Sequence, residues 1–127
     1  MKLNHLDLQV TDVPALTRFL IDHFDLHALT RLDSPRLAVL GDGAGFTLVL
    51  QHRAAPPAGD DGALGHIGFL VDDPAAVHDR HARLVAAGVA VSPVGSDARG
   101  TRCYLRAPGV LIEIGCNTRR SLRDQRE

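Results

Sequence analysis

Apolar and polar residues alternate at the start of the chain: Leu6, Leu8 and Val10 are interleaved with His5, Asp7 and Gln9. A period of two predicts a half-buried strand. Leu6, Leu8 and Val10 turn toward packed helices, and His5, Asp7 and Gln9 lie on the opposite, open face. The pattern returns 61 residues later. Leu3-Asn4-His5-Leu6-Asp7-Leu8-Gln9-Val10-Thr11-Asp12 is matched by Leu64-Gly65-His66-Ile67-Gly68-Phe69-Leu70-Val71-Asp72-Asp73. In the second copy Ile67, Phe69 and Val71 take the helix side, and His66, Gly68 and Leu70 the open side. The chain therefore reads as a duplicated structural unit.

Each copy passes from strand to helix. Asp12 and Asp73 are expected N-caps, with Pro14 and Pro74 just inside the first turn, where a missing N–H costs least. The first helix is expected from Val13 to about Phe24, with Leu16, Leu20 and Phe24 as its buried stripe. The second is expected from Pro74 to about Ala87, burying Val77, Leu84 and Val85, with Gly88 as C-cap. Short strands follow in each half: Ala28–Leu32, Arg36–Leu40 and Phe46–His52, then Val89–Ser92, Thr101–Arg106 and Val110–Cys116. Gly41-Asp42-Gly43 and Ala107-Pro108-Gly109 are equivalent turns.

The expected fold is α+β, with two βαβββ modules whose curved mixed sheets surround a cavity. The chain is one domain over residues 1–127. Module 1 covers about 3–52 and module 2 about 64–116; a Pro/Gly-rich linker at 53–63 joins them, and a polar tail occupies 117–127.

Composition narrows the function classes. The 127 residues are 45% apolar and 23% charged with a net charge of -1, so no single-sign field favours nucleic acid. The uncharged run Leu84–Ser96 is broken by Gly88, Pro93 and Gly95. It is too short for a bilayer, which needs about 20 apolar residues, so no membrane partner is expected. The first ten residues lack the apolar block of a signal peptide. Cys103 and Cys116 form no CxxC pair, so a cytoplasmic, reducing location is expected.

Residue usage is lopsided: Lys2 is the only lysine, and Glu113 and Glu127 are the only glutamates. Aligning the last strands through Gly45 and Gly109 matches Val49 with Glu113. Glu113 sits in an apolar strand, on the face of Leu111 and Gly115, where an unpaired carboxylate is costly. A cation explains it directly; a salt bridge to Arg102 or Arg99 is the alternative. His5 and His66 occupy equivalent open-face places. Two imidazoles and one carboxylate suit a divalent transition metal with open positions.

The paired layout, with Leu3-Asn4-His5-Leu6, Gly65-His66-Ile67 and Tyr104-Leu105-Arg106-Ala107-Pro108-Gly109-Val110-Leu111-Ile112-Glu113, resembles the vicinal-oxygen-chelate superfamily over residues 3 to about 116. That group holds glyoxalase I, extradiol dioxygenases, fosfomycin-modifying thiol transferases and bleomycin-binding resistance proteins. The resemblance implies metal ligands His5, His66 and Glu113, and a divalent ion, Fe2+ or Mn2+ before Zn2+ or Ni2+. It also implies a homodimer whose sites draw on both subunits. Val49 stands where glyoxalase I enzymes carry a fourth ligand, a departure from that subfamily. The Tyr that dioxygenases and transferases place near substrate falls on Cys103, and the transferases' Lys has no counterpart.

Around this triad, Asp7 and Cys103 are candidate catalytic residues. Gln9, Thr47, Val49, Thr101 and Arg102 are candidate substrate contacts, with Arg102 able to grip an anion. The expected function is a metal-dependent lyase, isomerase or extradiol-type dioxygenase acting on a small molecule chelated through vicinal oxygens. The alternative is a bleomycin-resistance-like protein that sequesters an antibiotic without chemistry.

Overall fold

The computed structural model describes residues 1–54 and 66–118. Its elements are β1 (His5–Val10), α1 (Val13–Phe24), β2 (His27–Ala28), β3 (Leu37–Gly41), β4 (Thr47–His52), β5 (His66–Leu70), α2 (Pro74–Ala86), β6 (Gly95–Asp97), β7 (Gly100–Ala107) and β8 (Val110–Asn117). Most of the expected linker and tail, with Leu64 and Gly65 of the second repeat copy, lies outside the described residues.

The chain divides into two compact units, Met1–Ala63 with Ala107–Gly109, and Leu64–Arg106 with Val110–Glu127. Each holds an open four-stranded sheet, in the orders β1-β4-β3-β2 and β5-β8-β7-β6. Both sheets are mixed, because β1 runs parallel to β4 and β5 parallel to β8, while β3–β4 and β6–β7 are antiparallel. The fold is α+β, built of βαβββ modules as the repeat predicts.

The two helices begin alike. Asp12 accepts the Ala15 N–H and Asp73 the Ala76 N–H, each at 3.0 Å, and a proline follows each cap. The first helix ends at Asp25 in the left-handed region, φ 57°. The second is capped at Ala87, not at the expected Gly88; Gly88 follows the cap at φ 81°, and the Val89 N–H returns to Leu84 O at 3.0 Å.

Leu16 and Leu20 of α1 are fully buried, as are Leu40 of β3 and Leu50 of β4, the strands that α1 covers. In the second unit α2 lies on β8, and Val77, Leu84, Ile112 and Ile114 are buried. Each such side chain contributes about 1.5–3 kcal/mol. Burial along β1 grows from exposed Leu6 to buried Val10, because α1 lies over β3 and β4 rather than over the start of this edge strand.

Three elements differ from the pattern reading. Val85 is 53% exposed, because it lies one residue, or about 100° of helix, past the Val77–Leu84 stripe. The strand expected at Ala28–Leu32 shrinks to His27–Ala28, since Thr30 Oγ1 takes the Val39 N–H at 2.9 Å. The strand expected at Val89–Ser92 is reduced to one bridge, Val91 to Leu105. Pro93 has no N–H with which to extend that pairing, and Gly95–Asp97 pairs with β7 instead.

Two side-chain-locked turns steer the strands that follow. The backbone N–H groups of Ala44 and Phe46 bind the Asp42 carboxylate and hold it below the usual carboxylate range. The Arg99 N–H does the same for Asp97. Gly100 then opens β7 at φ 145°, where an added Cβ would collide with Cys116 O. Gly100→Ala is therefore expected to destabilise the fold by about 1–3 kcal/mol in urea titration. Gly95→Ala, where a Cβ meets nothing within 4 Å, serves as the near-neutral control.

Candidate functional site

Strand register decides which side chains meet. In the first unit His5 lies beside Thr47, Asp7 beside Val49 and Gln9 beside Gln51. These six positions share the open face, as alternation requires. Gln51 Nε2 donates to Asp7 Oδ2 at 2.5 Å, and His5 Nδ1 bonds Asn4 Oδ1 at 2.9 Å. Gln9, Thr47 and Val49 lie on this open face.

In the second unit His66 lies beside Leu111 and Gly68 beside Glu113. The two registers are equivalent, since Asp7↔Val49 in one unit corresponds to Gly68↔Glu113 in the other. Glu113 is 19% exposed at its side chain and is held by three partners. His66 Nε2 meets Oε2 at 3.0 Å. Arg102 Nη1 donates to Oε1 at 3.2 Å, and the Tyr104 hydroxyl donates to the same oxygen at 3.1 Å. The Tyr104 ring also stands edge-on to His66, with centroids 6.1 Å apart. The ion pair with Arg102 is thus real, and it coexists with the His66 contact.

Two candidates are placed differently from their expectation. Cys103 and Thr101 do not share the face of Glu113. They alternate with Arg102 and Tyr104 along β7, so they point to the packed side, where Cys103 is 0% exposed. Thr101 Oγ1 is bonded to Ser96 Oγ at 2.9 Å. Burial pushes the Cys103 thiol above its ordinary range. The face beside Glu113 belongs instead to Arg102 and Tyr104. Tyr104 was missed, as was Gln51 as the partner of Asp7. The signal for Tyr104 was present: Cys103, Leu105 and Ala107 are the apolar half of the strand, and Arg102, Tyr104 and Arg106 the polar half.

The donor set can be judged from this geometry. Among the described residues no group of three or more His, Cys, Asp or Glu side chains is gathered for a metal ion. His66 and Glu113 form a two-donor pair, one imidazole nitrogen facing one carboxylate oxygen. Gly68 leaves space beside that oxygen, since a Cβ built there would stand 3.6 Å from Oε2. With the other oxygen occupied, Oε2 is the one that faces His66 and the Gly68 opening. This suits the pair to a divalent cation.

The class of protein follows once fold and site stand together. The model of the Glyoxalase/Bleomycin resistance protein/Dioxygenase superfamily matches residues 2–114, and the chain belongs to that superfamily. A possible glyoxalase from Bacillus cereus is 30% identical, with a TM-score of 0.75, over 91% of this chain and 99% of that one. Lactoylglutathione lyase from Agrobacterium tumefaciens is 23% identical, with a TM-score of 0.70, over 91% and 92%. A mutant of the fosfomycin resistance protein FosX from Listeria monocytogenes, complexed with Mn(II) and 1S,2S-dihydroxypropylphosphonic acid, is 20% identical, with a TM-score of 0.73, over 97% of each chain. Comparison with curated proteins gives no match. No helix among the described residues is long and apolar enough to cross a membrane.

The thiol geometry is testable. Burial favours the neutral thiol and leaves Cys103 out of reach of solvent in the folded chain. Iodoacetamide at pH 8 is expected to modify Cys103 only after unfolding in urea, as read by mass spectrometry. Prompt labelling of the folded chain would show an accessible thiolate instead.

Proposed function

We propose that the chain is a metal-dependent enzyme that acts on a small molecule chelated through vicinal oxygens. The observation that carries this reading is the His66–Glu113 pair, 3.0 Å apart on a polar sheet face, with Gly68 leaving Oε2 open. His5, at the repeat-equivalent place in the first unit, supplies the third donor, contributed by a second copy of the chain in a homodimer with two sites. Mn2+ or Fe2+ is the favoured ion, with Zn2+ or Ni2+ as alternatives, and FosX supports Mn(II) through the complex named in its structure.

When bound, the ion supplies Lewis acidity toward the substrate oxygens. The chain's own residues do the rest. Asp7 is the candidate proton acceptor, and its bond to Gln51 Nε2 fixes the direction of its carboxylate. Thr47, Gln9 and Val49 line the same face and set the shape and polarity that a substrate meets. The buried positions of Cys103 and Thr101 give them packing roles in this reading. The polar character of the open face, and the few aromatic side chains (4%), favour a small polar substrate over a large planar drug.

The test is elemental analysis of untagged protein after loading with Mn(II), Fe(II), Zn(II) or Ni(II). Stoichiometric metal is expected in the unaltered chain and its loss in His5→Ala, His66→Ala and Glu113→Ala. Sub-stoichiometric metal under every loading condition would overturn the enzyme reading and leave drug sequestration as the better account.

A further inference from the structure

We infer that Arg102 and Tyr104 are opposed positioning residues for Glu113: Tyr104 holds the carboxylate in place, while Arg102 is a built-in counter-cation that makes the affinity for a divalent ion lower than a neutral residue there would. The inference rests on the metal reading above and deepens it.

The geometry divides the carboxylate in two. Oε1 accepts from both Arg102 and Tyr104, whereas Oε2 faces His66. Glu113 is thereby committed to offering a cation one oxygen and not two. Tyr104 is neutral, so its hydroxyl fixes the direction of the carboxylate without drawing on its charge. Its ring, edge-on to His66, restrains the second donor as well.

Arg102 acts through charge. Its side chain is only 15% exposed, so solvent screens it poorly. A guanidinium bonded to Oε1 stands within a few ångströms of any ion on Oε2, and like charges at that range repel strongly. The loss of one hydrogen bond is the smaller effect by comparison.

A second observation shows that Arg102 is poorly explained as a stabilising residue. Its Nε is buried and has no hydrogen-bond partner among the described residues. A buried orphan donor is a cost, and Glu113 is the anion that offsets it. The same pairing neutralises Glu113 in the absence of metal, so the carboxylate is held ready without an unpaired charge in an apolar strand.

The experiment is titration of the full-length, untagged protein with Mn(II), free ion being read by electron paramagnetic resonance. Arg102→Gln removes the charge and is expected to tighten Mn(II) binding by about tenfold or more. Arg102→Lys keeps the charge and is expected to bind within about threefold of the unaltered chain. Tyr104→Phe is expected to weaken binding by about 10–100-fold. A merely structural role for both residues would shift every variant in the same, weaker direction. Where Arg102→Gln does not fold, Arg102→Met carries the same expectation. Weaker or unchanged binding in the neutral variants, with stoichiometric binding in the unaltered chain, overturns this inference alone. No Mn(II) binding in any form, Glu113→Ala included, overturns the metal reading and this inference with it.

Discussion

The parallel pairing of the first strand of each unit with its last strand governs everything that follows. β1 on β4 and β5 on β8 bring together residues more than 40 positions apart and fix which side chains share a face. Side chains alternate with a period of two, so a slip of one residue would send Glu113 into the core and Ile112 to the open face. The slip is resisted from both sides. Ile112 and Ile114 are buried beneath α2, and the Asp97 turn with Gly100 sets the start of β7, which carries Arg102 and Tyr104 to Glu113. The apolar core thus determines the polar constellation, although it shares no atoms with it.

Much of this was legible in the residues. The Asp-x-Pro and Asp-Pro starts, the Leu16–Leu20–Phe24 stripe and the 61-residue repeat name the helices and the module order directly. They are local signals, set by capping and by helix period. The repeat also gave the correspondence of Val49 with Glu113 that the strand register reproduces. Edge strands were less legible. β2 and β6 are defined by which backbone groups find partners, and Thr30 and Pro93 redirect those partners through single atoms that no periodicity records.

The misplacement of Cys103 has a different origin. Family likeness suggested an aromatic position at residue 103, and that alignment put the wrong half of β7 on the open face. The strand's own alternation pointed the other way, with Cys103, Leu105 and Ala107 apolar and Arg102, Tyr104 and Arg106 polar. Where a family alignment and a period-two pattern disagree by one residue, burial energy decides. Exposing Cys103 and Leu105 while burying two arginines would cost far more than any alignment preference.

The two units differ at the same two register positions, and the difference sets which acid each open face carries. The first unit places its acid on the first strand, as Asp7, opposite Val49; the second places its acid on the last strand, as Glu113, opposite glycine. Asp7 is bonded to Gln51, whose counterpart in the second unit is Gly115. A Cβ at Gly115 would stand 3.8 Å from the Arg102 Cβ, an ordinary contact, so this position lies beside the arginine stem that reaches Oε1. Gly68 and Gly115 occupy the register positions that Asp7 and Gln51 hold in the first unit. From equivalent backbones, one open face carries a carboxylate bonded to a glutamine amide, and the other a carboxylate shared by His66, Arg102 and Tyr104. The repeat supplies the symmetry of the strands, and the residues at two register positions decide what each open face holds.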